Sequence, residues 1–248
     1  MNLKVLNRDI IKYIAMFTML LNHIGNIFTE PGTLLSTILV DIGYFTAPVM
    51  CYFLAEGYHY TRSKRKYAER LAAFALLSEI PFCLAFSQLY TGEKIISFCG
   101  FNMIFTLLLC FGILYVRETV PNELTRGLLI AGLFLLSMFS DWALLAPMFT
   151  LLFARAEGNE RKIRNAFAVG AAVFALLNFA PASGAASVIL QLASAAASAL
   201  GILIAGIVIV YFYNGKRMER GRVFSKWFFY LFYPVHLLLL GILRISIL

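Results

Sequence analysis

Long apolar runs recur along the whole chain, separated by short segments carrying Lys and Arg, and this alternation constrains the fold more than any other feature. Runs bounded by charge, Pro or Gly fall at roughly 13–28, 36–56, 68–88, 102–116, 127–139, 142–154, 164–180, 186–212 and 228–247. A helix needs roughly 20 apolar residues to cross a bilayer. The pattern predicts an all-α, polytopic transmembrane helix bundle of about nine spans, within a range of roughly eight to ten, forming a single integral membrane domain over residues 1–248. Composition agrees, at 61% hydrophobic and 14% charged, whereas a soluble domain is nearer half and a quarter. An ordinary cytosolic enzyme is excluded. The net charge of +8 reads as basic cytoplasmic loops rather than as a nucleic-acid surface.

An odd number of crossings puts the termini on opposite faces. With the N-terminus in the cytoplasm, every Lys and Arg of the 21 except Lys94 and Arg244 falls on the cytoplasmic side. That bias predicts a multi-pass protein of the inner (cytoplasmic) cell membrane with its C-terminus outside. Arg126 and Arg155 enclose 28 residues, enough for one long helix or two short ones, and charge parity selects a short hairpin tipped by Asp141. Such a tip lies at membrane depth, where irregular backbone needs protein or water around it.

Further along, Ala193, Ala197, Gly201 and Ala205 recur every four residues and predict a close-packing seam. That segment, from Ser183 to Tyr213, is long for one crossing, so its start is expected to be an interfacial or broken helix. Cys51, Cys83, Cys99 and Cys110 form no CxxC or Cys/His spacing and read as small apolar fillers. No metal site is expected.

Ionisable groups at membrane depth are costly and usually serve a pathway or a reaction. At about 1.5 Å of rise per residue, His23, Asp41, Glu79, Asp141 and His236 all fall in the middle or outer membrane. His23 sits between Asn22 and Asn26 in NHIGN, and imidazole exchanges a proton near neutral pH. Glu79 precedes Pro81, which removes a helical hydrogen bond and favours a buried polar pocket. Asp41 reads equally as an interface residue and Asp141 as an exposed turn residue. Asn102 is placed to cap a helix, and His236, after Pro234, to bond a freed carbonyl. Asn26, Asn102 and His236 are the remaining candidates for touching substrate. The basic loop with Arg62, Lys64, Arg65, Lys66 and Arg70 suits either anionic headgroups or a phosphorylated cytosolic cofactor.

Four segments in order, MFTMLLNHIGNIF, IGYFTAPVMCYFLAEGYHYTRSKRKYAERLAAFALLSEIPF, FNMIFTLLL and FFYLFYPVHLLLL, give the chain a resemblance to the TraX family of membrane proteins. That family is named for N-terminal acetylation of a conjugative pilin and is distantly similar to membrane acyltransferases. The resemblance is densest in AEGYHYTRSKRKYAERLAAFALLSEIPF and weak between about 125 and 215. Two departures stand out: Asn22 where the family pattern has Asp, which removes a partner for His23, and Tyr44 where it has Arg, which removes an anion contact.

The resemblance implies a membrane-embedded acetyl- or acyltransferase. It would move an acetyl group from cytosolic acetyl-CoA, without a metal, to an amine or hydroxyl of a peptide, lipid or glycan at the outer face. His23 would then be the base and Asn22 an oxyanion donor, with Asp41, Glu79 and Asp141 as further candidates. Arg62, Lys64, Arg65, Lys66 and Arg70 would hold the CoA phosphates. The alternative is a secondary transporter or permease whose buried carboxylates and histidines carry protons or substrate.

Overall fold

Where they are described, the nine apolar segments each lie on a helix or a broken helix in the computed structural model, which describes residues 3–156, 158–179 and 188–247. The helices are α1 Arg8–Phe28, α2 Leu34–Gly43, α3 Thr46–Tyr60, α4 Lys64–Thr91, α5 Met103–Thr119, α6 Glu123–Ser137, α7 Leu145–Ala156, α8 Glu160–Leu177, α9 Val188–Ile207 and α10 Arg222–Ile247. A π-helical turn, Val208–Phe212, continues α9. Among the described residues the only β pairings are two isolated bridges. The protein is an all-α membrane protein. Five stretches are long and apolar enough to cross a bilayer by length and composition: Arg8–Phe28, Leu34–Tyr60, Lys64–Thr91, Val188–Phe212 and Arg222–Ile247.

Local sequence explains the boundaries. The side chains of Asn7, Thr33, Ser63, Asn102, Asn122 and Asn159 each accept a hydrogen bond from a first-turn N–H, which would otherwise be unsatisfied. Gly92 closes α4 in the left-handed conformation at φ 76°, a region open to glycine without steric cost. The stretch between Arg126 and Arg155 is two helices, α6 and α7, broken at 138–144, so one long helix is excluded.

The chain packs as two compact units. The first, residues 1–50 and 155–218, holds α1, α2, α8 and α9, and glycines set its helix contacts. A Cβ added at Gly43 would lie 2.1 Å from that of Asn22 on α1, and one at Gly206 would lie 2.8 Å from that of Phe167 on α8. Leu6, before α1, pairs with the end of the π-helical turn and the chain just after it, through Leu6 N–H to Phe212 O and Asn214 N–H to Leu6 O, both 2.9 Å.

The second unit, residues 51–154 and 219–248, packs α4 against α10 and α5, and α5 against α6. Gly241 brings α10 so close to α4 that a Cβ there would lie 2.9 Å from Leu84 Cγ and 3.1 Å from Ala85 N.

The small-residue seam on α9 differs from the expected stripe. Gly201 and Ala205 are buried, Ala197 is half-buried and Ala193 is exposed, while Ala195, Ser198, Ala199 and Ile202 complete the buried face. At 3.6 residues per turn, a step of four drifts about 40° off one face, so two steps back from Gly201 the stripe has left the contact. The start of the segment, through residue 187, lies outside the described residues.

Gly201 faces backbone, since a Cβ there would sit 2.6 Å from Asp41 O. Gly201→Ala should therefore cost about 1–3 kcal/mol through overpacking, whereas Ala193→Leu should be neutral. Thermal unfolding of the two variants in detergent checks this.

Candidate functional site

A polar cluster in the second unit gathers several of the expected residues. Asn102, fully buried, accepts from Ile104 N–H at 3.0 Å and Phe105 N–H at 3.3 Å as the cap of α5. Its Nδ2 donates to Glu79 Oε2 at 2.6 Å and to Ala75 O at 2.7 Å, and its backbone N–H reaches the same carboxylate at 3.3 Å. Asn102 thus both caps α5 and holds Glu79. Cys83 Sγ lies 3.8 Å from Glu79 Oε1. Pro81 frees the carbonyl one turn back, Leu77, yet the carbonyl that Asn102 engages is Ala75.

Asp141 lies at the tip of the α6–α7 break, held by α5 and by the segment before it. Phe101 N–H donates to Phe139 O and Asp141 N–H to Phe101 O, both at 2.8 Å, making the bridge between Phe101 and Ser140. Thr106 Oγ1 donates to Asp141 O at 2.6 Å and Leu144 N–H to Ser137 Oγ at 3.2 Å. These bonds satisfy irregular backbone without water. Trp142 and Leu144 have φ of 55° and 58°, a costly region for large side chains that is often found at functional sites.

Beside them opens a cleft of about 510 Å³ whose lining includes Tyr90, Phe98, Cys99, Asp141 and Trp142. Cys99 is half-buried on this wall and is not a core filler, whereas Cys51, Cys83 and Cys110 are buried as expected.

Tyr233, Thr106 and Ser140 were not legible as site residues. Tyr233, 5% exposed, accepts the N–H of Met103 at 3.2 Å, an otherwise unsatisfied donor in the first turn of α5. Its only signal is the aromatic run before Pro234. His236 is buried, stacks on Phe232 and bonds Phe232 O through Nδ1 at 2.7 Å. That is not the carbonyl freed by Pro234, which belongs to Tyr230 four residues back.

In the first unit His23 is buried on α1. Asn22 Nδ2 donates to Val40 O at 2.7 Å, and Asn26 Nδ2 donates to Asn22 Oδ1 at 2.9 Å and to Asn22 O at 3.0 Å. Asn22 ties α1 to α2, and Asn26, one turn on, fixes Asn22 across the turn that carries His23. Asp41 is half-buried near the end of α2, its carbonyl facing Gly201.

The five basic residues of the α3–α4 corner fall into two groups. Lys64 pairs with Glu118, which also accepts from Tyr58, and Lys64 stands 4.6 Å over the Tyr58 ring. Lys64 and Tyr58 together hold the Glu118 carboxyl below its ordinary range. Arg65 pairs with Glu69 at 2.8 Å. Arg62, Lys66 and Arg70 make no ion pair among the described residues, and Arg70 Nε is buried without a hydrogen-bond partner. Lys66 and Arg70, four apart, share a helix face.

The family model for TraX protein matches residues 7–244. A relative from Dichelobacter nodosus, named as a probable fimbrial assembly protein, FimC of serogroup H1, is 32% identical over 240 residues. The match covers 93% of this chain and 92% of that protein. The chain belongs to the TraX family. No solved structure matches this TraX protein.

Asn102 tests the coherence of the cluster. Asn122 is a cap alone, exposed and bonded to Thr125 N–H at 2.9 Å, so Asn122→Ala should cost roughly 1 kcal/mol. Asn102→Ala also strips Glu79 and Ala75 of their donor and should cost roughly 3 kcal/mol or more. The difference in thermal midpoint between the variants measures it.

Proposed function

We propose that this TraX protein is a membrane-embedded acetyl- or acyltransferase that takes its acyl group from cytosolic acetyl-CoA. Its acceptor is an amine or hydroxyl at the outer face. The observation that carries this reading is the set Arg62, Lys66 and Arg70, which lacks acidic partners and includes a buried guanidinium Nε with no acceptor. A buried donor left open calls for an anion, and CoA phosphates supply oxygens of the right charge.

In this reading α4, 28 residues and about 42 Å long, has the phosphates at its start, on the cytoplasmic side. About 20 Å separates Lys66 from Glu79 along it, so the cofactor's extended arm lies along α4 towards the polar cluster. The Asp141 cleft receives the acceptor, and as its nitrogen or oxygen attacks the thioester carbonyl its proton passes to a base and CoA leaves as the thiol. His23, in the first unit, is the base that the family-like first span nominates. Asn22 and Asn26 fix the turn that carries it. The name of the Dichelobacter relative favours a fimbrial or pilin-like subunit as acceptor, through its N-terminal amine. The same reading sets the protein in the inner membrane with the N-terminus in the cytoplasm and the C-terminus outside.

Replacing Arg62, Lys66 and Arg70 together with Gln should weaken acetyl-CoA binding at least about tenfold, with the larger loss at low salt. Lys64→Gln should leave affinity within about twofold, since Lys64 is engaged by Glu118. Titration of purified protein with acetyl-CoA measures both. Unchanged affinity in the inserted triple variant would return the corner to a headgroup anchor. Solute flux in liposomes without CoA release would favour a carrier.

His23→Ala should lower turnover by roughly 10²–10⁴-fold while acetyl-CoA affinity holds. His23→Gln, which keeps polarity but accepts no proton, should not restore it. Transfer at the wild-type rate by both folded variants would move the base to Asp41, Glu79, Asp141 or His236.

A further inference from the structure

Arg244 and Lys94 are the two basic residues outside the segments expected to be cytoplasmic, and Arg244 is 5% exposed in the last turn of α10. An arginine at a helix end in a membrane usually runs its stem to the interface and keeps its head wet. Arg244 does the reverse. Nε donates to Leu84 O at 3.2 Å, and Nη2 donates to Leu84 O at 2.9 Å and to Ile95 O at 2.7 Å. Nη1 donates to Gln88 Oε1 at 3.0 Å and to Lys94 O at 2.9 Å. All five guanidinium protons are used, every one on a neutral oxygen, and among the described residues no carboxylate pairs with the charge. Gly241, one turn earlier on the same face, makes the reach to Leu84 possible by letting α10 touch the backbone of α4.

The two loop carbonyls, Lys94 and Ile95, open the segment that becomes the cleft wall. Two residues on, Ser97 is fastened to α4 by Ser97 N–H to Ser87 Oγ at 2.8 Å and Ser87 Oγ to Ser97 O at 3.1 Å. Phe98, Cys99 and Gly100 then line the cleft. Gly100, at φ 105°, is pressed against Phe139 O, where a Cβ would lie at 3.2 Å. Phe101 forms the bridge that holds Asp141, and Asn102 holds Glu79.

We infer that Arg244 is a positioning residue for the cleft: its guanidinium fastens the 94–95 backbone to α4 and so sets the wall at Cys99 and the Phe101 bridge to Asp141. A lysine would not replace it, because three donors on one atom cannot serve four oxygens spread over α4 and the loop. The consequence for acceptor binding rests on the proposed transferase reading; the consequence for the wall does not.

The test is maleimide labelling of the folded full-length protein in detergent, with Cys99 followed by peptide mass, beside transfer from acetyl-CoA to a synthetic peptide bearing a free N-terminal amine. Arg244→Ala should raise the Cys99 labelling rate at least about tenfold by local opening, and Arg244→Lys should do so in part. Ethylguanidinium, which replaces the lost atoms, should restore protection of Arg244→Ala, while ethylammonium should not; a side chain needed only for bulk stability would show no such selectivity. Where Arg244→Ala does not fold, Arg244→Lys carries the test. In the transfer arm the KM for the peptide should rise while that for acetyl-CoA holds. Cys99 labelling within about twofold of wild type in the folded variants, or equal rescue by both amines, would overturn the inference. Altered labelling with unaltered peptide KM would sustain the positioning role and overturn the assignment of the cleft to the acceptor.

Discussion

In a bilayer no water meets a polar group that lacks a partner in the protein, and each such group costs several kcal/mol. The second unit is organised around this constraint. Five guanidinium protons, the first-turn N–H groups of α5, a buried Asn and the backbone of a broken helix all need acceptors or donors, and each finds them within the unit. Asn102 closes three of these accounts at once, capping α5 and bonding Glu79 and Ala75. Tyr233 and Thr106 take what remains at the start of α5 and at the α6–α7 tip. The same bonds that satisfy the backbone also hold the Glu79 carboxylate and fix the backbone of Asp141. A polar network required by the solvent is therefore also a place where chemistry is feasible.

The first unit meets the constraint differently. Its helices approach through glycine, with Gly201 against backbone and Gly43 and Gly206 against the side chains of Asn22 and Phe167. Where amides occur, at Asn22 and Asn26, they bond across or along the helices instead of standing open. His23 is set in that clamp.

The basic corner illustrates why charge counts alone do not assign function. Five cations within nine residues look equivalent in sequence. Folding brings Glu118 from α5 onto Lys64, and helical spacing brings Glu69 onto Arg65. The remaining three keep their charge unopposed among the described residues, and one has a buried donor. The number of cations available to an anionic ligand is set by which acids the fold returns to them.

Hydrophobic periodicity and basic punctuation determined the all-α membrane class and the helix segments, because a bilayer admits so few backbone solutions. Asn102 marked the start of α5 locally, and charge parity marked the break around Asp141. Motif order, from NHIGN to FYPVHLL, was enough to place the chain in the TraX family. What remained to the tertiary structure was every pairing between distant residues: Asn102 with Glu79, Tyr233 with Met103, and Arg244 with the 94–95 carbonyls. The drift of the seam from Ala193 to Ala195 and Ala199 was likewise decided by which face of α9 met its neighbours. Sequence spacing reports which groups share a helix face, but a donor's partner across helices depends on how closely two axes approach, and Gly241 against Leu84 sets that distance only once the helices have packed.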